Sequence, residues 1–207
     1  MQTKATRIGD HDAWTHDEGH GAGTFVTFDA LQLAPGDPPR KVHVLLPRGY
    51  SPYGRQWPAV WMFDGDTAFW PGGVGGKTWD VAGTLSRLRG KVDDLIVIAV
   101  CPVERDREYT HVDWSGGRFP WGGLAEHAAW LAGTLVPFLH GQLAIDPARV
   151  AIAGSSHGGL AAFWAATRHP EVFRMAGCLS PSFFSGLDPW LEPPSRAPLA
   201  QAPIVAG

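Results

Sequence analysis

The chain has 207 residues, 44% hydrophobic and 18% charged, a balance that excludes disorder and fibres. Its formal net charge of −3 leaves no electrostatic footprint for nucleic acid. Its longest apolar runs, such as Leu95 to Val100, are far too short to span a bilayer, and no apolar core follows the first residues as in a secretory signal. The length suits a single domain over residues 1–207, with 1–22 as a polar N-terminal segment. Cys101 and Cys178 each sit in an apolar run and read as core thiols, which fits a reducing cytoplasm.

The N-terminal segment is rich in His and carboxylates: His11, His16, His20, Asp10, Asp12, Asp17 and Glu18. Spacings of five and four without cysteine favour a solvated tail or edge loop over a metal site. Alternation from Thr24 to Leu33 predicts a strand, and Lys41 to Leu46 a second. Pro58 to Phe63 is a third, ending at Asp64-Gly65-Asp66 and a Gly-rich loop through Gly76. Thr78 to Leu88 reads as a helix. Leu95 to Val100 has the continuous apolar character of a strand covered on both faces. Glu104 to Gly123 is a polar, aromatic loop, and Leu124 to Leu139 carries a helical apolar stripe. A short strand from Arg149 to Ala153, an Ala-rich helix from Leu160 to Thr167 and a strand from Met175 to Leu179 follow. The stretch from Ser180 to Gly207 is Pro-rich. Strands alternating with helices after an antiparallel N-terminal hairpin predict an α/β fold, a mostly parallel sheet with helices on both faces.

Gly154-Ser155-Ser156-His157-Gly158 fits the pattern Gly-x-Ser-x-Gly. The pattern alone is weak, but here a β-branched strand runs into Gly154 and a helix begins after Gly159. Strand, sharp turn and helix form the context of a nucleophile elbow. A nucleophile in a strained turn needs neighbours without bulk two positions before and after it, and Gly154 and Gly158 supply them. Ser156 is therefore the candidate nucleophile. The backbone N–H of His157 is one candidate oxyanion donor, and that of Asp66, in the loop after the third strand, is the other.

The elbow with Gly159-Leu160, the segment Arg168-His169-Pro170-Glu171-Val172-Phe173, and Leu179-Ser180-Pro181-Ser182-Phe183 resemble the putative-esterase family of α/β-hydrolases. That family includes esterase D, enterochelin (siderophore) esterases, feruloyl and acetylxylan esterases, and mycolyltransferases. Met62-Phe63-Asp64-Gly65 resembles the oxyanion loop of the siderophore-esterase branch, and Arg107-Glu108-Tyr109-Thr110 its segment before the elbow. The resemblance runs from about Phe25 onward and implies an α/β-hydrolase three-layer sandwich. It also implies a catalytic acid after the next strand and a later histidine. No position here matches either, so the chain reads as C-terminally incomplete, its last strand and helix missing. The exposed sheet edge this would leave implies a covering partner, such as a second copy in a homo-oligomer.

Among residues that could substitute, Asp188 is the candidate acid and His111 the candidate base. His157 flanks the site, and His127, His140 and His169 read as surface residues. Asp64, Gly65, Arg107, Tyr109 and Trp70 are the substrate-binding candidates, with Arg105, Trp114 and Trp121 beside them. The reaction expected is hydrolysis of a small-molecule carboxylic ester through an acyl-Ser156 intermediate, with no metal or organic cofactor, no nucleic acid and no membrane. Two alternatives stay open: a hydrolase-fold binding or scaffold module without chemistry, and an acyltransferase. Siderophore lactones, feruloyl sugars and short acyl esters are all admissible substrates.

Overall fold

The computed structural model describes residues 2–73, 75–113, 115–184 and 204–206. They divide into two compact units, residues 1–102 with 140–147 and residues 103–139 with 148–207.

The first unit is built on strands. β1 (Gln2–Ile8) and β2 (His11–Asp17) form an antiparallel hairpin with Gln2 opposite Asp17 and Ile8 opposite His11. The N-terminal segment is thus sheet, not a tail. Its polar composition hides the pattern, because of the seven residues of β2 only Ala13 and His16 are buried. A charged, twisted outer hairpin also suits a sheet edge, where exposed apolar strands invite aggregation. β3 (Gly23–Leu31) and β4 (Arg40–Pro47) continue the antiparallel series, and β4 pairs antiparallel with β6 (Ile96–Val100). β5 (Trp57–Met62) pairs parallel with β6, giving the order β1-β2-β3-β4-β6-β5. All five residues of β6 are buried, as expected of a strand covered on both faces.

This unit corrects the expected mostly parallel sheet: the sheet is mixed, and antiparallel pairings dominate it. The added hairpin accounts for the difference. Two short helices, α1 (Gly65–Ala68) and α2 (Val81–Arg87), follow β5. Phe25, Leu45, Ala68, Phe69, Ala82, Val97 and Ala99 form one buried cluster between these helices and the sheet.

The second unit holds α3 (Arg105–Tyr109), a single turn inside the stretch expected to be loop, and α4 (Leu124–Trp130). The long helix predicted to Leu139 is interrupted by a π-helical turn, Leu131–Leu135, before α5 (Val136–Gln142) resumes. Pro137 explains the interruption. It has no N–H to give the carbonyl four residues back, and its ring crowds that carbonyl, so the helix widens locally. β7 (Ile145–Ser155), α6 (His157–Arg168) and β8 (Met175–Leu179) follow. β8 lies parallel to β7, with Gly154 opposite Cys178, and parallel to β9 (Ile204–Ala206). Among the described residues, no helix is long and apolar enough to cross a membrane.

Candidate active site

The site is built where β7 meets α6. Ser156 is the single residue between them and has φ 56° and ψ −122°. A side chain at that backbone conformation is strained and persists only when its surroundings hold it. The surroundings do so. The Ser156 N–H donates to the Leu179 carbonyl at 3.1 Å, and the Ser156 carbonyl accepts from the N–H groups of Leu160 at 3.1 Å and Ser182 at 3.0 Å.

The glycines are required by close approach. A Cβ on Gly154 would lie 2.4 Å from the Gly158 carbonyl oxygen, inside any tolerable contact. A Cβ on Gly159 would lie 3.0 Å from Pro181 Cα, pressing the segment that clamps Ser156. Small residues therefore let strand, helix and the turn after β8 meet around one exposed serine. His157 opens α6, where first-turn N–H groups lack intrahelical acceptors and attract negative charge.

The Ser156 hydroxyl lies 3.1 Å from the hydroxyl of Ser182, which is buried. Among the described residues no histidine or carboxylate is hydrogen-bonded to Ser156 Oγ. Nothing in the residue type of Ser182 marks it as facing the nucleophile; in the sequence it is one member of the segment Leu179-Ser180-Pro181-Ser182-Phe183.

Other candidates are placed elsewhere. The His111 ring stacks on Trp164 at 4.8 Å, and Trp164 lies about two helical turns beyond Ser156. His111 is not hydrogen-bonded to Ser156 Oγ, whose partner is Ser182. The His157 ring sits edge-on to Trp121 at 5.3 Å, with Nδ1 3.8 Å from Asp106 Oδ1. Asp106, Trp121 and His157 thus form a small polar-aromatic group beside the elbow. Asp188 and Trp114 lie outside the described residues.

One substrate-binding candidate is corrected. Tyr109 is fully buried, under the Arg105 guanidinium 5.2 Å from its ring, and offers no surface to a ligand. Arg107 is held by Glu126 at 2.7 Å, which raises the guanidinium pKa, and its stem packs against Gly123. It ties α3 to α4. His127 is buried too, 3.9 Å from Glu108 and 5.9 Å from the Trp130 ring, and not a surface residue.

In the first unit, Asp64 adopts a left-handed conformation, φ 56° and ψ 51°, immediately before α1. Gly65 itself has no positive φ; its smallness is needed because a Cβ would lie 2.7 Å from the Ala99 carbonyl and the Cys101 nitrogen. Asp66 is wrapped by Gly72 and Gly73, where a Cβ would collide with its carbonyl and its carboxylate. Trp70 packs against Phe25 at 4.8 Å and His43 at 5.0 Å, and its indole N–H donates to the Glu18 carboxylate at 3.0 Å. Glu18 is also 3.3 Å from both His16 and His20. The polar residues of the N-terminal segment thus partner Trp70.

A strained serine thus sits between β7 and α6, beside glycines at positions of close approach. The family model described as Putative esterase matches residues 36–204. The chain belongs to this esterase family.

Solved structures agree on the fold. An IroE-like serine hydrolase from Shewanella oneidensis is 23% identical with a TM-score of 0.62, covering 74% of this chain and 50% of that one. The siderophore hydrolase EstA from Aspergillus nidulans is 22% identical with a TM-score of 0.63, covering 81% and 62%. The siderophore hydrolase EstB from Aspergillus nidulans is 20% identical with a TM-score of 0.67, covering 88% and 68%. The esterase-family chain therefore has the α/β-hydrolase fold and spans half to two thirds of the length of these structures. No match was found among curated proteins.

Proposed function

We propose that this esterase-family chain carries the nucleophile of a serine carboxylic-ester hydrolase, with siderophore-type esters as the favoured substrate class. One observation carries the reading: Ser156 is held at φ 56° and ψ −122° at the head of α6 by contacts that only glycine permits at Gly154. Ser156 Oγ attacks the ester carbonyl while its proton passes to a general base, and the carbonyl electron pair moves to oxygen. The N–H of His157 faces the developing oxyanion. Collapse releases the alcohol and leaves acyl-Ser156, which water hydrolyses to the acid. Substrate class follows from structures named as siderophore hydrolases that share the fold.

A fluorophosphonate probe tests the nucleophile. Covalent label on Ser156, absent in Ser156→Ala, is expected. Hydrolysis of a siderophore lactone or a p-nitrophenyl ester then ranks the substrates. A second reading, a hydrolase-fold binding module without chemistry, is favoured by one fact. Among the described residues, Ser156 Oγ has a serine rather than a histidine as its hydrogen-bond partner. Well-folded protein that takes no label would sink the first reading and favour this one.

A further inference from the structure

The Ser182 hydroxyl is in an unusual position for a residue that only packs. Its side chain is 1% exposed, and among the described residues the only group hydrogen-bonded to its Oγ is Ser156 Oγ, at 3.1 Å. Its N–H also donates to the Ser156 carbonyl at 3.0 Å, so backbone and side chain both address the same residue. A buried hydroxyl carries a desolvation cost that alanine, nearly the same size, would avoid. Packing alone therefore gives no reason for serine here, whereas an oxygen 3.1 Å away does.

We infer that Ser182 is a positioning residue that fixes the Ser156 hydroxyl for acylation, an inference that rests on the reading of Ser156 as the nucleophile. In the resting protein the pair shares one hydrogen bond, in which either oxygen can donate. As the Ser156 Oγ–carbon bond forms and the Ser156 proton leaves for the base, Ser182 O–H turns to donate into Ser156 Oγ. It thereby holds one rotamer, with a Ser156 lone pair aimed at the carbonyl carbon, while the negative charge develops on the carbonyl oxygen. Ser182 keeps its own proton and forms no covalent bond. The clamp is already set by the backbone, because the Leu179 carbonyl and the Ser182 N–H grip Ser156 from both sides.

The test is the fluorophosphonate reaction, in which Ser156 Oγ forms a bond to phosphorus and fluoride leaves. Saturation kinetics separate the maximal labelling rate from probe affinity in the wild type, Ser182→Ala and Ser182→Cys. The maximal rate should fall about 2–10-fold in Ser182→Ala, the worth of one neutral hydrogen bond that orients the nucleophile. Probe affinity should stay within about two-fold, and Ser182→Cys, a weaker donor of similar shape, should fall between. Circular dichroism and thermal midpoints report the folded fraction. A rate per folded molecule equal to wild type in both variants would overturn the inference while leaving Ser156 as nucleophile. If Ser182→Ala does not fold, Ser182→Cys decides alone: a per-molecule rate equal to wild type overturns the inference, and a reduced one supports it. Absence of label on wild-type protein would instead remove the reading of Ser156, and this inference with it.

Discussion

Ser156 pays for its exposure in backbone strain. A non-glycine residue at φ 56° and ψ −122° costs about 1–3 kcal/mol. Ser156→Gly relieves that strain, offset by about 0.5–1 kcal/mol of extra freedom in the unfolded chain. A net gain of about 1 kcal/mol is expected by chemical denaturation, together with loss of all probe labelling. Ser156→Ala keeps a Cβ and should show no such gain; equal stability of the two variants would refute the strain argument. Gly154→Ala tests the opposite case. Its Cβ would meet the Gly158 carbonyl at 2.4 Å, so backbone must move, and a loss of about 2 kcal/mol with slowed labelling is expected. At this scale the elbow was legible because its geometry demands residue types: glycine at two positions and a small nucleophile between them. The burial of Tyr109 was not legible, because sequence shows that a loop is polar and aromatic but not which side chains it turns inward. Ser182 was hidden for a related reason. A serine looks the same whether it caps a turn or faces a nucleophile.

Among the elements, β6 and α6 were readable from apolar runs and alanine content, whereas β1 and β2 were not. Their side chains are polar because so little of the hairpin is buried, and the signal for a strand is burial on one face. The same antiparallel series holds one buried base. His43 on β4 shares a hydrogen bond between its Nδ1 and Thr27 Oγ1 of β3 at 2.8 Å and lies edge-on to Trp70 at 5.0 Å. Burial lowers its pKa to about 4, and Lys41 and His16 act in the same direction against Asp29. The folded protein therefore keeps His43 neutral where the unfolded chain, at about 6.5, takes up a proton. Stability from this residue is complete above pH 6.5 and is lost as pH falls toward 4, roughly 3 kcal/mol over the window. Unfolding free energy measured against pH should fall more steeply in wild type than in His43→Gln between those limits. His16 and His140, whose pKa values burial also lowers, contribute to both proteins, so the difference isolates His43. Parallel slopes would show that His43 does not resist protonation.

For the whole molecule, chain order indicated an α/β architecture correctly but overstated its parallel share, since a meander and a crossover look alike until partners are known. Whether the two units unfold together is open to a direct measurement, because each holds one free, buried cysteine. Burial pushes the Cys101 thiol up to about 12 and the Cys178 thiol up to about 11. Thiolate, not thiol, reacts with disulfide reagents, so native protein at pH 8 should stay unmodified until it opens. We propose that the chain unfolds as one domain. The unit boundaries fall inside α5 and β7, so unfolding either unit withdraws residues from a helix and a strand that the other also uses. In a urea series read by a disulfide reagent, with Cys101→Ala and Cys178→Ala separating the two sites, both thiols should appear at one midpoint. Two midpoints would mean that the strand-rich unit and the unit bearing Ser156 open independently, and that the nucleophile's support can be lost while the rest of the chain stays folded.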